Sequence, residues 1–286
     1  SPLTVNLFAS DAGRMEGNLD GAVRLSKHLS TGLFAHYSQD KRVHDANGDG
    51  FLDLPLLEQF NFFNRWYYTR KNFISQVGVK VVHETRENGQ AEHVKNTSPD
   101  KPRYEIDIRT LRGEVFTKNG YVLDEEANRS VALILAGSFH KQDADYGAIP
   151  YDLRQSNVYA NLLFDTDLGV KHKISTGLSL NMDRTEQKSI YFAGNPAFLR
   201  LRTEWTVGAF AEYTWKPMRN LDLMAGLRAD RHNEYGAFVP PRLHVHYTPV
   251  EALSVRASVG KGYRSVNVFV ENNFLFASNR VRNFSV

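Results

Sequence analysis

The side chains best suited to chemistry in this chain are four oxygen donors in one short segment, Asp45, Asn47, Asp49 and Asp53. They stand at positions one, three, five and nine of a loop whose sixth position is Gly50, the spacing of the first part of an EF-hand calcium loop. Carboxylate and amide oxygens are the ligands that Ca²⁺ prefers. The segment therefore predicts a calcium site that orders the loop around it.

The same loop lacks the closing ligand of such a site. Its twelfth position, where a bidentate Glu is expected, is Leu56, and the next carboxylate, Glu58, comes two residues later. A tight, solvated acidic turn is therefore the alternative interpretation.

Two histidines form a second candidate. His244 and His246 are two residues apart, so both point to the same side of a strand. The alternation of neighbouring segments puts Arg228 and Arg242 on the same polar side. Two imidazoles at this spacing could ligate a metal, and the cations could contact a ligand. Histidine in a polar wall is more often a hydrogen-bonding wall residue, so both interpretations stay open.

Histidines and aromatic residues also occur in the polar segments that we expect to be loops. At a loop-lined mouth they would suit an aromatic chelate, haem or a corrinoid, and they would equally suit ordinary loop packing. They are His44, His83, His93, His140, His232, Tyr146, Tyr151, Tyr191, Phe192, Phe198, Tyr235 and Phe238.

The usual motifs of catalysis are missing from the sequence. There is no Gly-x-Ser-x-Gly, no phosphate-binding loop and no His-Glu-x-x-His. The chain has no cysteine, which removes thiolate nucleophiles and cysteine-based zinc sites. Its 35 basic and 32 acidic residues are spread along the chain for a net charge of +3, whereas a nucleic-acid binder concentrates its cations in a patch. We therefore predict neither an enzyme nor a nucleic-acid-binding protein.

Long β-strands are the elements that would position these residues. Apolar and polar residues alternate over 174–182, 203–215, 221–230 and 253–259, which indicates strands with one apolar face. The runs approach or exceed the ~9–11 residues of a tilted membrane-spanning strand. A mean hydropathy of −0.43 fits such a barrel, because only alternate residues face lipid.

The connections between about thirteen such strands alternate in length. Short turns are expected near 28–31, 69–72, 165–171, 216–221 and 248–252, and long polar loops near 39–57, 84–102, 142–153, 183–199 and 231–238. A link over 117–129 completes the short set and contains a hairpin signal, Asn119-Gly120. In an up-and-down meander every second connection lies at the same rim. The pattern therefore predicts an all-β fold, an antiparallel up-and-down transmembrane β-barrel with its long loops on one rim.

Aromatic residues stand just before the predicted short turns. If those turns share one rim, the rings share one height, as in the aromatic girdle at a membrane interface. Ordinary strand-end residues are the alternative interpretation. The residues are Tyr67, Tyr68, Phe116, Phe164, Trp215 and Tyr247.

Three successive segments carry a family resemblance. Gly226-Leu227-Arg228-Ala229-Asp230 is followed by Pro240-Pro241-Arg242-Leu243 with Tyr247 and Pro249, and then by Gly260-Lys261-Gly262-Tyr263-Arg264 with Asn267. In this order they resemble the GLRxDxH, PRLxxxYxP and GxGYRxxN strands of TonB-dependent receptors. Residues 45–51 resemble a loop of the Bacteroidetes branch of that family.

The resemblance implies a location and a function. Such receptors lie in the bacterial outer membrane and have a plug domain inside a barrel of about 22 strands. They contact outer-membrane lipid, engage the TonB complex through the plug, and take up a ferric siderophore, haem, cobalamin or another metal complex.

Residues 1–286 show no plug segment, and the start at Ser1 shows no basic and apolar leader. We therefore expect a central part of one such barrel domain. The alternatives are a passive outer-membrane porin-like channel and a soluble all-β adhesin or carbohydrate-binding module.

Overall fold

The computed structural model describes residues 3–91, 103–147, 149–189, 198–267 and 271–272. These residues form one antiparallel sheet of fourteen strands. Among them, no helix is long and apolar enough to cross a membrane.

The strands follow one another in chain order. They are β1 (Leu3–Ala9), β2 (Arg14–Arg24), β3 (Leu29–Asp40), β4 (Leu56–Arg70), β5 (Phe73–Gly89), β6 (Glu105–Asp124), β7 (Arg129–Tyr146), β8 (Ile149–Asp167), β9 (His172–Ser189), β10 (Phe198–Met218), β11 (Leu221–His232), β12 (Gly236–Phe238), β13 (Pro241–Val250) and β14 (Leu253–Gly260). Each strand pairs with its neighbour in the chain, except that β12 is a short side branch on β11 and β13 pairs with β11 directly. The predicted antiparallel up-and-down architecture is confirmed, with β12 as the additional strand.

The sheet has one apolar face and one polar face. Residues directly opposite each other on paired strands share a face, and one such row runs through Leu133, Leu162, Leu178, Ala209 and Ala229. We call the face that carries this row the apolar face and the opposite one the polar face. Leu178 is more than half exposed, as expected for a surface that lipid covers.

The apolar face has the height of a membrane. On β10 it runs from Trp205 to Trp215, eleven residues whose ten steps extend about 33 Å along the strand and, at a tilt of about 40°, about 25 Å in height. Beyond this band the face becomes charged, because Met182 on β9 is followed there by Arg184, Glu186 and Lys188. The strands therefore continue past the apolar band into water.

One rim of the sheet carries the short connections and is called the turn rim; the other is the mouth rim. Connections at the turn rim are 25–28, 71–72, 125–128, 168–171, 219–220 and 251–252. The mouth rim carries the long connection 41–55 and the link between β5 and β6 over 90–104, of which 92–102 lie outside the described residues, as do 190–197 between β9 and β10. All connections at the turn rim are short, as predicted, but the mouth rim carries short connections as well, among them 10–13 and, within the predicted long loop over 231–238, residues 233–235 between β11 and β12.

The predicted long loop over 142–153 is wrong. β7 and β8 stay paired up to Tyr146 and Ile149, so only two residues connect them. Residues 183–189 likewise belong to β9 and pair with β10. Charged and polar residues on the apolar-face side, such as Asp143, Asp145 and Asp152 on β7 and β8 and Arg184, Glu186 and Lys188 on β9, made these segments look like loops, although the backbone ladder continues through them.

The predicted hairpin signal Asn119-Gly120 is also misplaced. Both residues lie inside β6 and pair with β5 and β7. The turn forms at 125–128, where the side chain of Asp124 accepts hydrogen bonds from the N–H groups of Glu126 (3.0 Å) and Ala127 (3.2 Å).

The aromatic girdle at the turn rim is confirmed for most of its predicted members. Tyr68, Phe164, Trp215 and Tyr247 lie on the apolar face within a few residues of their turns. Tyr121 on β6 joins them, opposite Phe73.

Tyr67 and Phe116 do not belong to the girdle. Both lie in polar-face rows, and the Phe116 ring covers Gly78, where a Cβ would overlap it. Phe116 also stacks on Phe63, with 6.4 Å between ring centroids. Successive side chains of a strand alternate between the two faces, and Tyr67 and Phe116 fall at positions that point to the polar face.

Candidate ligand-binding face

The polar face carries all four predicted wall residues. Arg228 on β11 and Arg242, His244 and His246 on β13 point to this side. Their cross-strand partners are mostly polar or small, so the face is a wall of hydrogen-bonding groups.

His246 is held within the wall. Its Nε2 lies 3.0 Å from the Ser254 hydroxyl, and its Nδ1 lies 3.4 Å from Asp222. His244 is half-buried and makes no hydrogen bond or ion pair with the described part of the chain. The two imidazoles therefore share no partner, and the described residues contain no grouping of three His, Asp or Glu side chains suited to a metal ion.

Arg228 forms the centre of an ion-pair cluster around the buried carboxylate of Asp230. Its Nε donates to both carboxylate oxygens of Asp230, at 2.8 and 2.7 Å, and its Nη2 donates to the Ser179 hydroxyl at 2.6 Å. The Asp230 side chain is 1% exposed. Gly208 stands opposite Asp230, where a Cβ would overlap its carboxylate. The missing side chain makes room for the cluster.

Tyr263 closes this cluster from the segment after β14. Its hydroxyl donates to Asp230 at 2.9 Å, and its ring stacks on Phe238 with 4.1 Å between centroids. Burial and the bond to the Asp230 carboxylate raise the pKa of Tyr263 to about 12. The hydroxyl therefore remains a donor at physiological pH.

Residues 261–267, which we call the strap, cross the polar face near the mouth rim. Arg202 donates to the Val266 carbonyl at 3.0 Å, and Gln187 donates to the Asn267 side chain at 3.1 Å. With Tyr263, these contacts join the strap to β9, β10 and β11.

A second polar cluster lies at the mouth rim. Arg202 donates to Glu204 and to the Tyr235 hydroxyl, both at 2.6 Å. His232 Nε2 lies 3.3 Å from Glu204, while its Nδ1 accepts the backbone N–H of Glu234 at 3.0 Å. Because Nδ1 is an acceptor, the ring proton sits on Nε2 and points at the carboxylate.

The structure corrects the prediction for His232. It is the last residue of β11 and is 4% exposed, so it is not a loop residue. Glu204 and Ser179 were not predicted as site residues from the sequence, although the alternation puts Ser179 on the polar face. The position of each residue in the alternation of polar and apolar residues indicates the face that it occupies.

The mouth also has a small apolar core on the polar-face side. Ala144, Tyr146, Ile149, Tyr151 and Leu153 pack together at the ends of β7 and β8. Burial raises the pKa of Tyr151 to about 12, and its hydroxyl accepts a hydrogen bond from Gln187 at 3.1 Å. The core stiffens this part of the mouth.

One cation of the mouth, Arg200, has a side chain that no described residue binds. Arg200 stands opposite Gln187 on the polar face and is half-buried. Within the described part of the chain it has no ion-pair or hydrogen-bond partner. It is available to an anionic group that enters the mouth.

The predicted calcium loop is a well-ordered turn. The Asp45 carboxylate accepts the N–H groups of Asp49 and Gly50 at 3.1 and 3.0 Å, and the Asp53 carboxylate accepts the N–H of Ala46 at 2.7 Å. These contacts fit the acidic-turn interpretation and leave calcium a prediction.

Two of the oxygen donors considered for calcium, those of Asn47 and Glu58, belong to residues that already contact other side chains. The amide of Asn47 donates to Asp49 at 2.9 Å. Glu58, the late substitute for a closing ligand, forms an ion pair with Lys41 at 2.8 Å, which lowers the pKa of Glu58.

Of the other predicted mouth residues, His93, Tyr191 and Phe192 lie outside the described residues. The prediction of loop positions is also wrong for six others, which belong to strands: His83, His140, Tyr146, Tyr151, Phe198 and Phe238.

Comparisons with known proteins agree with this architecture. The family model "TonB dependent receptor-like, beta-barrel" matches residues 29–283. No curated protein matches the chain.

The chain is also similar to solved structures. They include the copper transporter OprC (12% identity, TM-score 0.69, 91% of this chain and 44% of that one). The alcaligin outer-membrane receptor FauA of Bordetella pertussis is another (13%, 0.69, 90% and 42%), as is a variant of the ferric enterobactin receptor PfeA of Pseudomonas aeruginosa (15%, 0.62, 93% and 44%).

At these identities the likeness establishes the fold alone, and the chain spans less than half the length of each of these structures. The family model, by contrast, covers most of the chain, including the wall and the strap. The chain belongs to the TonB-dependent receptor-like β-barrel family.

Proposed function

We propose that this chain forms wall and mouth of an outer-membrane receptor that captures a scarce ligand and imports it with energy from the TonB complex. The observation that carries the proposal is the two-faced sheet, in which an apolar band of membrane height backs a polar wall that holds the Arg228–Asp230 ion pair. Lipid covers the first face, and the plug of the receptor family or the passing ligand would contact the second. The Arg228 cluster is a fixed part of that wall.

The mouth rim would face outside the cell. Its long connections are the receptor-type extracellular loops, and the turn rim would face the periplasm. Ligand capture would then depend on several mouth elements together, and the chain would carry out no chemical conversion.

A ferric siderophore is the ligand class that we favour. Arg200 brings a positive charge without a partner in the described part of the chain to the mouth, and beside it the Arg202 guanidinium, paired with Glu204, lies over the Tyr235 ring at 5.7 Å. Cations beside an aromatic ring suit an anionic chelate with aromatic groups. The similar solved structures include siderophore receptors and a copper transporter. Haem, cobalamin or another metal complex are the remaining candidates.

The test is binding and uptake by cells that express the full-length protein. Radioiron-labelled ferric enterobactin, ferric alcaligin, haemin and labelled cyanocobalamin are offered separately, with and without a functional TonB. We expect saturable binding of one of them, and uptake only with TonB. Arg200→Ala should weaken that binding about tenfold, as for loss of one charge-assisted hydrogen bond. Arg231→Ala, on the apolar-face side, should not change it.

Two results would contradict the proposal. Non-saturable, TonB-independent entry of several unrelated solutes would indicate a passive channel. Equal ligand affinity of the Arg200→Ala and Arg231→Ala variants would mean that this cation of the mouth takes no part in ligand capture.

A further inference from the structure

Three asparagines of the chain are followed directly by a glycine, and they stand in different structural settings. They are Asn47, Asn88 and Asn119. Such a pair of residues has a chemistry of its own. Because glycine has no Cβ, its backbone nitrogen can approach the side-chain carbonyl carbon of the preceding asparagine and attack it. The reaction expels ammonia and turns an amide into a carboxylate, provided that the backbone of the pair is free to move.

Two of the three pairs are held in the sheet. Asn119 and Gly120 lie within β6, between β5 and β7, and the Asn119 side chain accepts a hydrogen bond from the Ser75 hydroxyl at 2.7 Å. Gly89 is buried at the end of β5, opposite Glu105 on β6. A paired backbone must open locally before its nitrogen can reach a neighbouring side chain. These two pairs are therefore protected.

The third pair lies in the loop between β3 and β4 at the mouth rim. Asn47 and Gly48 are both exposed, and the Gly48 N–H donates no hydrogen bond within the described part of the chain. Gly48 has a φ of 71°, and nothing lies within 4 Å of the place where a Cβ would be. Gly50 shows the contrast, since it is buried and its N–H donates to the Asp45 carboxylate at 3.0 Å. The Gly48 nitrogen is thus open to a base from solvent.

The side-chain amide of Asn47 is held by hydrogen bonds at both of its ends. Its Oδ1 accepts the backbone N–H of Asp49 at 3.1 Å, and its Nδ2 donates to the Asp49 carboxylate at 2.9 Å. The bond to Oδ1 draws electrons away from the amide carbon. The same N–H would stabilise the negative charge that Oδ1 gains when a nucleophile attacks. The loop therefore presents an activated amide beside a backbone nitrogen that no described group binds.

We propose that Asn47 is a site of self-modification, in which the Gly48 nitrogen displaces the side-chain amide nitrogen. Solvent base removes the Gly48 amide proton, and the nitrogen forms a bond to Asn47 Cγ. The Cγ–Nδ2 bond then breaks, and Nδ2 takes up a proton from solvent and leaves as ammonia. Water adds to the resulting cyclic imide. Opening at Cγ gives an aspartate, and opening at the backbone carbonyl carbon gives an isoaspartate, in which the main chain runs through the former side chain.

The product alters the turn in which it forms. The carboxylates of Asp45 and Asp49 already lie in this turn. A new carboxylate at position 47 has no N–H to donate to Asp49, and it repels both neighbouring charges. Self-modification therefore makes the acidic turn at the mouth rim more negative and less tightly held.

The test is mass spectrometry of the full-length protein in a non-ionic detergent. The protein is incubated at mildly alkaline pH with EGTA, so that calcium does not occupy the loop, and samples are digested with trypsin at intervals. Loss of the amide is measured in the peptides that contain Asn47, Asn88 and Asn119. Asn47 should convert at least about tenfold faster than the other two, because the paired strands must open first. In protein unfolded with urea the three rates should become similar.

Two variants and the identity of the product test the route. Gly48→Ala adds a Cβ that shields the attacking nitrogen and should slow the conversion of Asn47 at least about tenfold. Gly120→Ala is the matched control in β6 and should leave the conversion of Asn47 unchanged. Fragmentation of the converted peptide should show isoaspartate beside aspartate, since only a cyclic imide can open in two ways.

Three results would overturn the proposal. The first is conversion of Asn47 in the folded protein that is no faster than that of Asn119. The second is a product that contains aspartate alone, which would mean that water attacks the amide directly. The third is an equal rate in Gly48→Ala and the wild type, because the glycine nitrogen would then take no part.

Discussion

The hydroxyl of Tyr263 donates to the carboxylate of Asp230 across 2.9 Å, and this contact joins the strap to the barrel wall. Asp230 is already held by both oxygens to Arg228. One buried carboxylate therefore connects three parts of the chain: β11, the strap and, through Arg228 and Ser179, β9.

Replacing Tyr263 with Phe should release the strap while keeping the stacking on Phe238. One partly buried hydrogen bond is lost, which costs about 1 kcal/mol, and trypsin should cleave at Lys261 and Arg264 several times faster. Limited proteolysis of the folded protein in detergent measures this. The matched control is Tyr121→Phe, on the apolar face, which should be neutral. Equal cleavage rates in all three proteins would mean that the bond does not hold the strap.

The same contact predicts a pH dependence. The pKa of Tyr263 is raised from 10.0 to about 12 in the folded chain, so the bond contributes fully below pH 10. Its contribution falls as the pH rises from 10 towards about 12, because the unfolded chain ionises first. The difference in cleavage rate between the wild type and Tyr263→Phe should shrink over that range. If the difference in cleavage rate stayed constant from pH 10 to about 12, ionisation of the Tyr263 hydroxyl would not control how firmly the strap is held.

Gly208→Ala should destabilise the wall. The new Cβ would overlap the Asp230 carboxylate and come within 2.8 Å of Arg228 Nη2, and overpacking of this kind costs roughly 1–3 kcal/mol. Urea unfolding in detergent reports the loss. Gly120→Ala is the control, since its Cβ meets nothing within 4 Å, and alanine within a strand should be neutral or slightly stabilising. Similar losses for both variants would argue against a crowded cluster at Gly208.

Single cysteines should react according to the face they occupy. The natural chain has no cysteine, so each variant has one thiol. At Leu227, Leu253 and Val255, on the apolar face, lipid should block a membrane-impermeant maleimide in outer-membrane preparations. At Met224 and Ser254 the thiol should react from the polar side. Ser179 is a poor reporter because Arg228 binds its hydroxyl. Equal labelling of both faces would contradict the membrane placement.

Calcium binding by Asp45, Asn47, Asp49 and Asp53 remains a prediction. Calorimetric titration at millimolar calcium, the weak end for such loops, should show a heat that Asp49→Ala removes. Asp143→Ala is the control, since Asp143 lies outside the loop. The acidic turn would remain as the sole interpretation if the wild-type protein gave no heat.

The face of most strand residues could be predicted from the sequence. Period-two alternation puts Leu178 on one side and Ser179 on the other whatever the partner strand is, because successive Cβ atoms point to opposite faces. That is why His244, His246, Arg228 and Arg242 were assigned together. The alternation fails as a guide to strand ends: over 142–153 the apolar-face side carries Asp143, Asp145 and Asp152, so the segment looks like a polar loop and only the ladder between β7 and β8 identifies it as strand.

Contacts between distant parts of the chain required the tertiary structure. Asp230 and Tyr263 are 33 residues apart, and Gln187 and Asn267 are 80 apart. Alternation determines which way a side chain points, but not which residue of a neighbouring strand lies opposite it. That register depends on where each turn closes, and a turn misplaced from 125–128 to Asn119-Gly120 changes every partner along the hairpin. The sequence by itself thus determined the two faces and the family, and the pairing of the strands decided which polar groups meet in the wall.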